Sequence, residues 1–160
     1  MAKLGVFAGS FDPFTKGHLD IVNQAKSIFD RIIIGIGISG TKKNLFEFSE
    51  RKEMIEQIFK DDDSVQVDFF SGLVVDFAKK HNAHALVRGL RTETDFSYEL
   101  PMALTNKKLM PGLETVFFPT ASEYAFVSSS IVRELWYHKG DTSDFVTEEV
   151  ERYLSKKKRD

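Results

Sequence analysis

Apolar and polar residues follow one another along the chain in short blocks, and the spacing of the apolar positions changes from block to block. The runs KLGVFA and RIIIGIGI are almost continuously apolar, which is typical of strands covered on both faces. Between them, HLDIVNQAKSIF places Leu19, Val22, Ile28 and Phe29 near helical spacing. The first third of the chain therefore predicts strand, helix, strand.

The same alternation continues to the end of the chain. SERKEMIEQIFK predicts a helix with Ser49 as N-cap and Glu50 in its first turn. Further strands are predicted at SVQVDFF, AHALV and ETVFF, and further helices at GLVVDFAKKH, TDFSYELPMALTNKKL, SSSIVRELWYHKG and TEEVERYLSKKK. Gly140 is placed to stop the helix that begins in the serine run.

Strands separated by helices in this way predict an α/β fold: a doubly wound, Rossmann-like sheet of five parallel strands with helices on both faces. We expect one domain over residues 1–160. Such sheets bind ligands beyond the carboxyl ends of their strands, where the strand order reverses. Polar segments follow the predicted strands, namely GSFDPFTKGH, SGTKKN, SGL, RGLR and TASEYAFVSSS.

Composition narrows the classes of function. A formal net charge of −2 argues against a nucleic-acid binder that works by bulk charge. The chain has no cysteine, which excludes disulfides, thiolate metal sites and a thiol nucleophile. No apolar run approaches the roughly 20 residues of a membrane span. The opening MAKLGVF already has strand character and lacks a cleavage-site pattern, so we expect a cytoplasmic protein.

One glycine pattern is misleading. GIGISG places Gly35, Gly37 and Gly40 as G-x-G-x-x-G. The dinucleotide fingerprint needs its glycines at a turn that opens a helix, whereas two of these lie inside the predicted strand. We therefore interpret them as small residues where a helix packs closely on the sheet.

The segment GSFDPFTKGH does lie between a strand and a helix. Gly9 permits a turn and close backbone approach to a ligand, and Asp12 precedes a proline in typical turn chemistry. Gly17 leaves the start of the helix uncovered, so that N–H groups can face an anion, with His18 in the first turn beside it. These residues favour phosphate binding, and a purely structural turn is the alternative.

Other polar segments each have an ordinary interpretation as well. A lysine pair such as Lys42 and Lys43 is most often solvated, three serines can simply cap a helix, and GLVV can be an ordinary helix start. Two arginines in RGLR can be surface cations. Their places after strands, next to the other polar loops, favour phosphate binding for the arginines and the serine helix.

Three motifs together resemble a known family. GSFDPFTKGHLDIV resembles the TxGH version of the HxGH nucleotidyltransferase motif, and with RGLRTETDFSYE and FVSSSIV the chain resembles the phosphopantetheine adenylyltransferases of bacterial coenzyme A synthesis. The resemblance runs from Lys3 to about Tyr153. It implies transfer of the adenylyl group of ATP to phosphopantetheine, giving dephospho-coenzyme A and pyrophosphate, without a covalent intermediate.

The resemblance also implies partners. Mg²⁺ would arrive with ATP, with no permanent metal site on the protein. Dephospho-coenzyme A or coenzyme A would bind as product or inhibitor, and the chain would form a homohexamer. Neither nucleic acid nor membrane is an expected partner. Related enzymes that use nicotinate mononucleotide or glycerol phosphate are the nearest alternative, and a non-catalytic nucleotide sensor on the same fold is another.

The same resemblance assigns roles residue by residue. It implies a catalytic set of His18, Lys42 and Arg91 and an acceptor set of Ser10, Lys42, Val74 and Arg88. The ATP set implied by the family comprises Ser10, Phe11, His18, Gly89, Leu90, Arg91, Glu99, Tyr124, Ala125, Phe126, Val127, Ser128, Ser129 and Ser130. Leu73 would border the pantetheine arm beside Val74.

Some residues depart from the family pattern or carry only structural expectations. Ala8 and Asn44 stand where prolines are usual in the family. Pro101 falls inside a predicted helix and should kink or restart it just after Glu99, which places the Glu99 contact in question. The tail SKKKR is expected to be solvated, and aromatic residues such as Phe69, Phe70 and Phe96 to be exposed for assembly.

Overall fold

In the computed structural model of the protein, which describes residues 1–38 and 43–159, strands and helices alternate as predicted. The strands are β1 (Leu4–Gly9), β2 (Arg31–Gly37), β3 (Val65–Phe70), β4 (Ala85–Leu90) and β5 (Glu114–Pro119). The helices are α1 (Lys16–Ala25), α2 (Phe48–Ile58), α3 (Val74–Lys80), α4 (Glu93–Leu109), α5 (Ser129–Tyr137) and α6 (Glu148–Lys156), with a 3₁₀ turn at Ser122–Tyr124 before α5.

The five strands form one parallel sheet in the order β3-β2-β1-β4-β5. Phe7 of β1 is paired in register with Ile34 of β2 on one side and with Val87 of β4 on the other. The strand order reverses between β1 and β4, so this is the point where a doubly wound sheet opens to a ligand. The predicted fold class is confirmed.

Alternate residues of the central strands bury on opposite faces, as the pleat requires. Phe7 and Ile34 pack against α1 and α2. Val6 and Ile33 pack against α3, which contributes Phe77 among others. Helices therefore cover both faces, which explains why these strands read as continuous apolar runs.

Of the misleading glycines, Gly35 has the structural role inferred from the sequence. Gly35 and Gly37 lie in β2, and a Cβ on Gly35 would come within 2.6 Å of the Phe77 ring. No side chain fits between that strand and α3 without displacing the ring. Gly40 lies outside the described residues.

Three predicted helix ends differ from the structure. The N-cap of α2 is Glu47, whose N–H donates to the Glu50 carboxylate at 2.8 Å, and Ser49 lies inside the helix. Helix α1 ends at Ala25, earlier than the apolar spacing suggested. After α5 the left-handed residue is Lys139 (φ 62°), while Gly140 donates its N–H to the carbonyl of Leu135 at 2.7 Å.

The tail was expected to be solvated, and that prediction is wrong for Lys157, which is partly buried, while Arg159 is exposed but makes a contact of its own. Lys157 pairs with Glu50 at 2.9 Å and lies 5.2 Å from the centre of the Phe46 ring. Arg159 donates to the carbonyl of Trp136 at 2.7 Å. Both contact a buried cluster between α2, α5 and α6, built from Phe46, Met54, Val132, Trp136, Val146, Val150 and Leu154.

Helix α4 is continuous through Pro101, so the predicted restart does not occur. Since proline has no N–H, only the bond to the carbonyl one turn earlier is lost. The helix leaves Phe96, Met102 and Leu104 exposed, whereas Phe69 and Phe70 are partly buried, contrary to the expectation. Among the described residues, no helix is long and apolar enough to cross a membrane.

Candidate active site

Two cavities open at the carboxyl ends of the strands, one on each side of the junction between β1 and β4. Their volumes are about 460 and 380 Å³, within the usual range for small-molecule sites. We call the larger the apolar cavity and the smaller the polar cavity. Five residues line both: Ala8, Gly9, Ser10, Arg88 and Glu99.

The turn between β1 and α1 forms the floor of the polar cavity. Three of its carbonyls accept hydrogen bonds from side chains: Ser10 from Arg51 at 2.6 Å, Asp12 from Arg133 at 2.7 Å and Pro13 from Ser129 at 2.8 Å. Because these carbonyls already have partners within the protein, the backbone of the turn is fixed before any ligand binds.

Phe11 in this turn has a positive φ of 48° and is 3% exposed. That conformation is unfavourable for a large side chain and persists only when the surroundings impose it. Here the ring packs against Phe7, Phe14 and His18, with centroids 5.0 to 5.4 Å apart. Phe11 therefore supports the turn from inside, and its ring forms part of the cavity wall.

The first turn of α1 explains why a histidine stands at position 18. Thr15 is the N-cap, and its hydroxyl accepts the N–H of His18 at 3.3 Å. In return, Nδ1 of His18 accepts the N–H of Thr15 at 3.0 Å. The imidazole thus takes the place that Glu or Gln usually has in a capping box.

This capping bond decides which ring nitrogen carries the proton. A backbone N–H can only donate, so Nδ1 must be unprotonated and the proton lies on Nε2. Burial among Phe7, Phe11 and Phe14, then the charges of Arg91 and Arg88, lower the pKa of His18 to about 3. His18 is therefore a neutral donor at physiological pH, and it lines the polar cavity.

The start of α1 offers less to an anion than the sequence suggested. The N–H of Lys16 donates to the carbonyl of Phe145 at 2.9 Å, and that of His18 is used in the cap. Within the described part of the chain, the N–H of Gly17 alone among the first three of the helix lacks such a partner. Gly17 lines the polar cavity, as expected.

Arg88 at the end of β4 faces both cavities. Its Nε and Nη2 donate to the two carboxylate oxygens of Glu99 at 2.7 and 2.6 Å, and Nη1 donates to the carbonyl of Ala8 at 2.8 Å. The bidentate pair fixes the plane of the guanidinium. Glu99 therefore lies beside Arg88 at the junction of the cavities, despite Pro101 two residues later.

Arg91 lies in the loop after β4 and reaches the polar cavity. Asp95 of α4 accepts its backbone N–H at 2.8 Å and its Nε at 3.2 Å, and Val127 accepts Nη1 at 3.2 Å. Burial raises the pKa of Asp95, but the two bonds and the charge of Arg91, with a bond from the Thr92 backbone, outweigh it and the net pKa is lowered. Asp95 thus orients Arg91 much as Glu99 orients Arg88.

The serine run forms the opposite wall of the polar cavity. Ser128 caps α5 by accepting the N–H of Ile131 at 3.2 Å, and Ser130 accepts a bond from Arg133 at 3.2 Å. The first N–H groups of a helix have no intrahelical partner. Ser129 and Ser130, at the start of α5, line the polar cavity together with Arg133. Free N–H groups at a helix start beside an arginine are suited to binding phosphate oxygens.

The other predicted residues divide between cavity wall and surroundings. Gly89 and Val127 line the polar cavity, and Leu73 and Val74 line the apolar one. In the described structure Leu90, Tyr124, Ala125 and Phe126 line neither cavity. Phe126 is 56% exposed and packs edge-on against Phe145. Lys42 lies outside the described residues.

The apolar cavity is lined mainly by hydrophobic residues, with few polar groups. Ile38, Phe70, Leu73 and Met102 form much of its wall, and Asn106 supplies an amide although it is only 7% exposed. A flexible, largely apolar chain with an occasional amide fits such a lining. Asn106 is not among the site residues predicted from the sequence.

Sequence reasoning missed four charged residues of this region. Arg133 and Asp95 line the polar cavity. Arg133 comes three residues after Ser130 and Asp95 four residues after Arg91, and helical spacing of this kind from predicted site residues could have revealed both. Asp12 also lines the polar cavity, and its carboxylate accepts the N–H groups of Leu45 and Phe46. Arg51 donates to the carbonyl of Ser10, and nothing local in the sequence points to those contacts. Across residues 1–38 and 43–159, no group of three or more His, Asp or Glu side chains is arranged to hold a metal ion.

Comparison with known proteins places the chain in a family. The sequence model described as Cytidylyltransferase-like matches residues 6–135. Phosphopantetheine adenylyltransferases from Moorella thermoacetica, Alkaliphilus metalliredigens and Caldanaerobacter subterraneus subsp. tengcongensis are 49%, 46% and 43% identical over 155 residues. The alignments cover 97% of this chain and 97–99% of each relative.

Solved structures agree on the fold. A bifunctional NMN adenylyltransferase/ADP ribose pyrophosphatase from Francisella tularensis, complexed with AMP and a Mn ion, superposes with a TM-score of 0.72 at 21% identity. The superposition covers 98% of this chain and 49% of that one. At this identity the likeness concerns the architecture alone.

The fold and the family model define this protein as a nucleotidyltransferase of the cytidylyltransferase-like family. Within that family, 43–49% identity over nearly the whole chain shows that the protein belongs to the phosphopantetheine adenylyltransferases, as the three sequence motifs predicted.

Proposed function

We propose that this enzyme transfers the adenylyl group of ATP to phosphopantetheine, giving dephospho-coenzyme A and pyrophosphate as a step of coenzyme A synthesis. The supporting observation is a pair of cavities of contrasting character that meet at Ser10, Arg88 and Glu99. A long apolar arm fits one cavity and a polyphosphate fits the other. Their phosphates would meet at the shared wall.

The reaction needs no protein nucleophile. A phosphate oxygen of phosphopantetheine attacks the α-phosphorus of ATP in line, a new P–O bond forms, and the bond to the β-phosphate oxygen breaks as pyrophosphate leaves. The attacking oxygen is already anionic at neutral pH, so no general base is required. The obstacle is bringing two anions together, which positioning and fixed charge can overcome.

Each residue then has a defined part. Arg88 holds the acceptor phosphate at the junction, with Lys42 as the second cation of this set from the family resemblance. His18 donates from Nε2 to an α-phosphate oxygen, where negative charge shifts during transfer. Arg91 and the first turn of α5 hold the departing pyrophosphate.

ATP would enter as its Mg²⁺ complex, with the ion held mainly by phosphates and water. Dephospho-coenzyme A would fill both cavities as product, and coenzyme A would compete as a close relative of it. Leu90 and residues 124–126 line neither cavity. The ATP contacts expected from them therefore stay predictions. The cytoplasmic location also stays a prediction.

The choice of acceptor tests this function against the related transferases and the nucleotide sensor. Because the larger cavity is lined by apolar side chains, phosphopantetheine should be adenylylated far faster than nicotinate mononucleotide or glycerol phosphate. Pyrophosphate release with Mg²⁺ and ATP, measured with each acceptor in turn, gives the comparison. Equal rates, or a preference for the nucleotide, would refute the proposal, and no turnover with any acceptor would favour the sensor.

The two arginines should separate the two substrates. Arg91→Ala should mainly raise KM for ATP, and Arg88→Ala that for phosphopantetheine, because each removes a charged phosphate contact of about 2–4 kcal/mol, roughly 30- to 1000-fold. Arg31→Ala is the matched control, since Arg31 is exposed at the opposite end of the sheet. Reversed effects in steady-state kinetics would mean that the phosphates are assigned the wrong way round.

We also propose that the chain assembles as a homohexamer, as the family resemblance implies. The support is α4, which exposes Phe96, Tyr98, Leu100, Met102, Leu104 and Leu109. Exposed apolar side chains concentrated on one helix favour an interaction site there. Light scattering at micromolar concentration should give about six times the 18.2 kDa chain mass, and a monomer would contradict the proposal.

A further inference from the structure

Asp20 of α1 forms a link to a distant part of the chain. Its Oδ2 accepts the backbone N–H of Ala121 at 2.9 Å, a residue 101 positions later in the sequence. The same oxygen accepts Nε2 of Gln24, one turn further along the helix, at 2.9 Å. One carboxylate oxygen therefore joins the helix that carries His18 to the segment that follows β5.

Gln24 completes this link. Its Nε2 also donates to the carbonyl of Pro119, the last residue of β5, at 2.8 Å. The backbone of residues 119–121 is thus held by an acceptor and a donor from adjacent turns of one helix. Between them, the N–H of Thr120 donates to the carbonyl of Leu90 at 2.8 Å. These bonds fix the stretch relative to both α1 and the sheet.

The held stretch leads into the wall of the polar cavity. Thr120 lines that cavity, and so does Val127 at the end of the same segment. Val127 is held separately, because its carbonyl accepts Nη1 of Arg91 at 3.2 Å. Neither Thr120 nor Val127 lines the apolar cavity, and Asp20 lies in the wall of neither cavity in the part of the chain that the structure describes.

We propose that Asp20, together with Gln24, is a positioning residue for ATP. It holds residues 119–121 against α1 and so sets Thr120, in the wall of the polar cavity, relative to His18 on the same helix. This inference rests on the proposed function in one respect, the binding of ATP in the polar cavity. Asp20 does not contact ATP in this scheme; it acts through Thr120, and phosphopantetheine binding is independent of it.

The geometry of the link separates hydrogen bonding from charge. Asp20→Ala removes the acceptor of both bonds and leaves the N–H of Ala121 without its partner. Asp20→Asn keeps an oxygen on the side chain, and since one oxygen accepts both bonds in the structure, this variant should retain the link. Asp20 is only partly buried, so we expect both variants to fold.

Steady-state kinetics and isothermal titration with ATP measure the effect. Asp20→Ala should raise KM and Kd for ATP about 5- to 30-fold, while KM for phosphopantetheine changes less than about twofold. Asp20→Asn should restore most of the wild-type ATP affinity. Asp30→Ala is the matched control, because Asp30 also accepts a distant backbone N–H, that of Lys3 at 2.6 Å, at the opposite end of the sheet. The control should match wild type in every measurement.

Three results would overturn the inference. Unchanged ATP binding in Asp20→Ala would show that the link does not position the cavity wall. A rise of equal size in KM for both substrates would indicate a general loss of structure. An Asp20→Asn variant as impaired as Asp20→Ala would mean that the charge, and not the link to residues 119–121, is responsible.

Gln24→Ala gives an independent measurement and carries the test if Asp20→Ala does not fold. It removes the bond to Pro119, so it should also raise KM and Kd for ATP. The two replacements together should cost less than the product of their separate effects, because both act on one segment. Unchanged ATP affinity in Gln24→Ala, or full multiplication of the two effects, would overturn the inference.

The titration with ATP needs no acceptor, which keeps this test apart from that of the proposed function. Failure of the wild-type enzyme to adenylylate phosphopantetheine would refute the proposed function. The role of Asp20 would then be decided by ATP affinity alone, with the same expected and contrary results.

Discussion

The conformation of the turn between β1 and α1 is the constraint on which the site depends. Its carbonyls are held by Arg51, Arg133 and Ser129, from two helices that are distant in sequence. Phe11 is held at a positive φ by a cluster of aromatic rings. The cost of ordering this backbone is met on folding and not on binding, which is what preorganised sites require.

The charged side chains of the site are likewise held in place before a ligand binds. Two anionic substrates call for cations, yet Arg88 and Arg91 do not lie unpaired in the structure. Glu99 and Asp95 of α4 hold them in place while leaving further N–H groups of each guanidinium for a ligand. The apolar cavity beside them has the opposite character, so substrate selection and phosphate binding are separated in space but meet at Arg88.

The sequence predicted the sheet well because buried parallel strands have a strong signature, as in RIIIGIGI. It also placed His18 and Arg88 at the right end of the strands, since polar residues after strands meet at one edge. It could not predict that His18 closes a capping box with Thr15, because that bond depends on ring orientation. Nor could it predict that Asp12 reaches Leu45 and Phe46, because side-chain contacts over such separations have no local signal.

His18 carries the central claim: a neutral ring, oriented through Nδ1, donates from Nε2 to charge that develops during transfer. Turnover and ATP affinity measured on His18→Ala test it most directly. We predict that kcat falls about 10²–10³-fold while ATP binding changes far less. Near wild-type turnover with ATP binding lost would contradict the account, because His18 would then be a binding residue only.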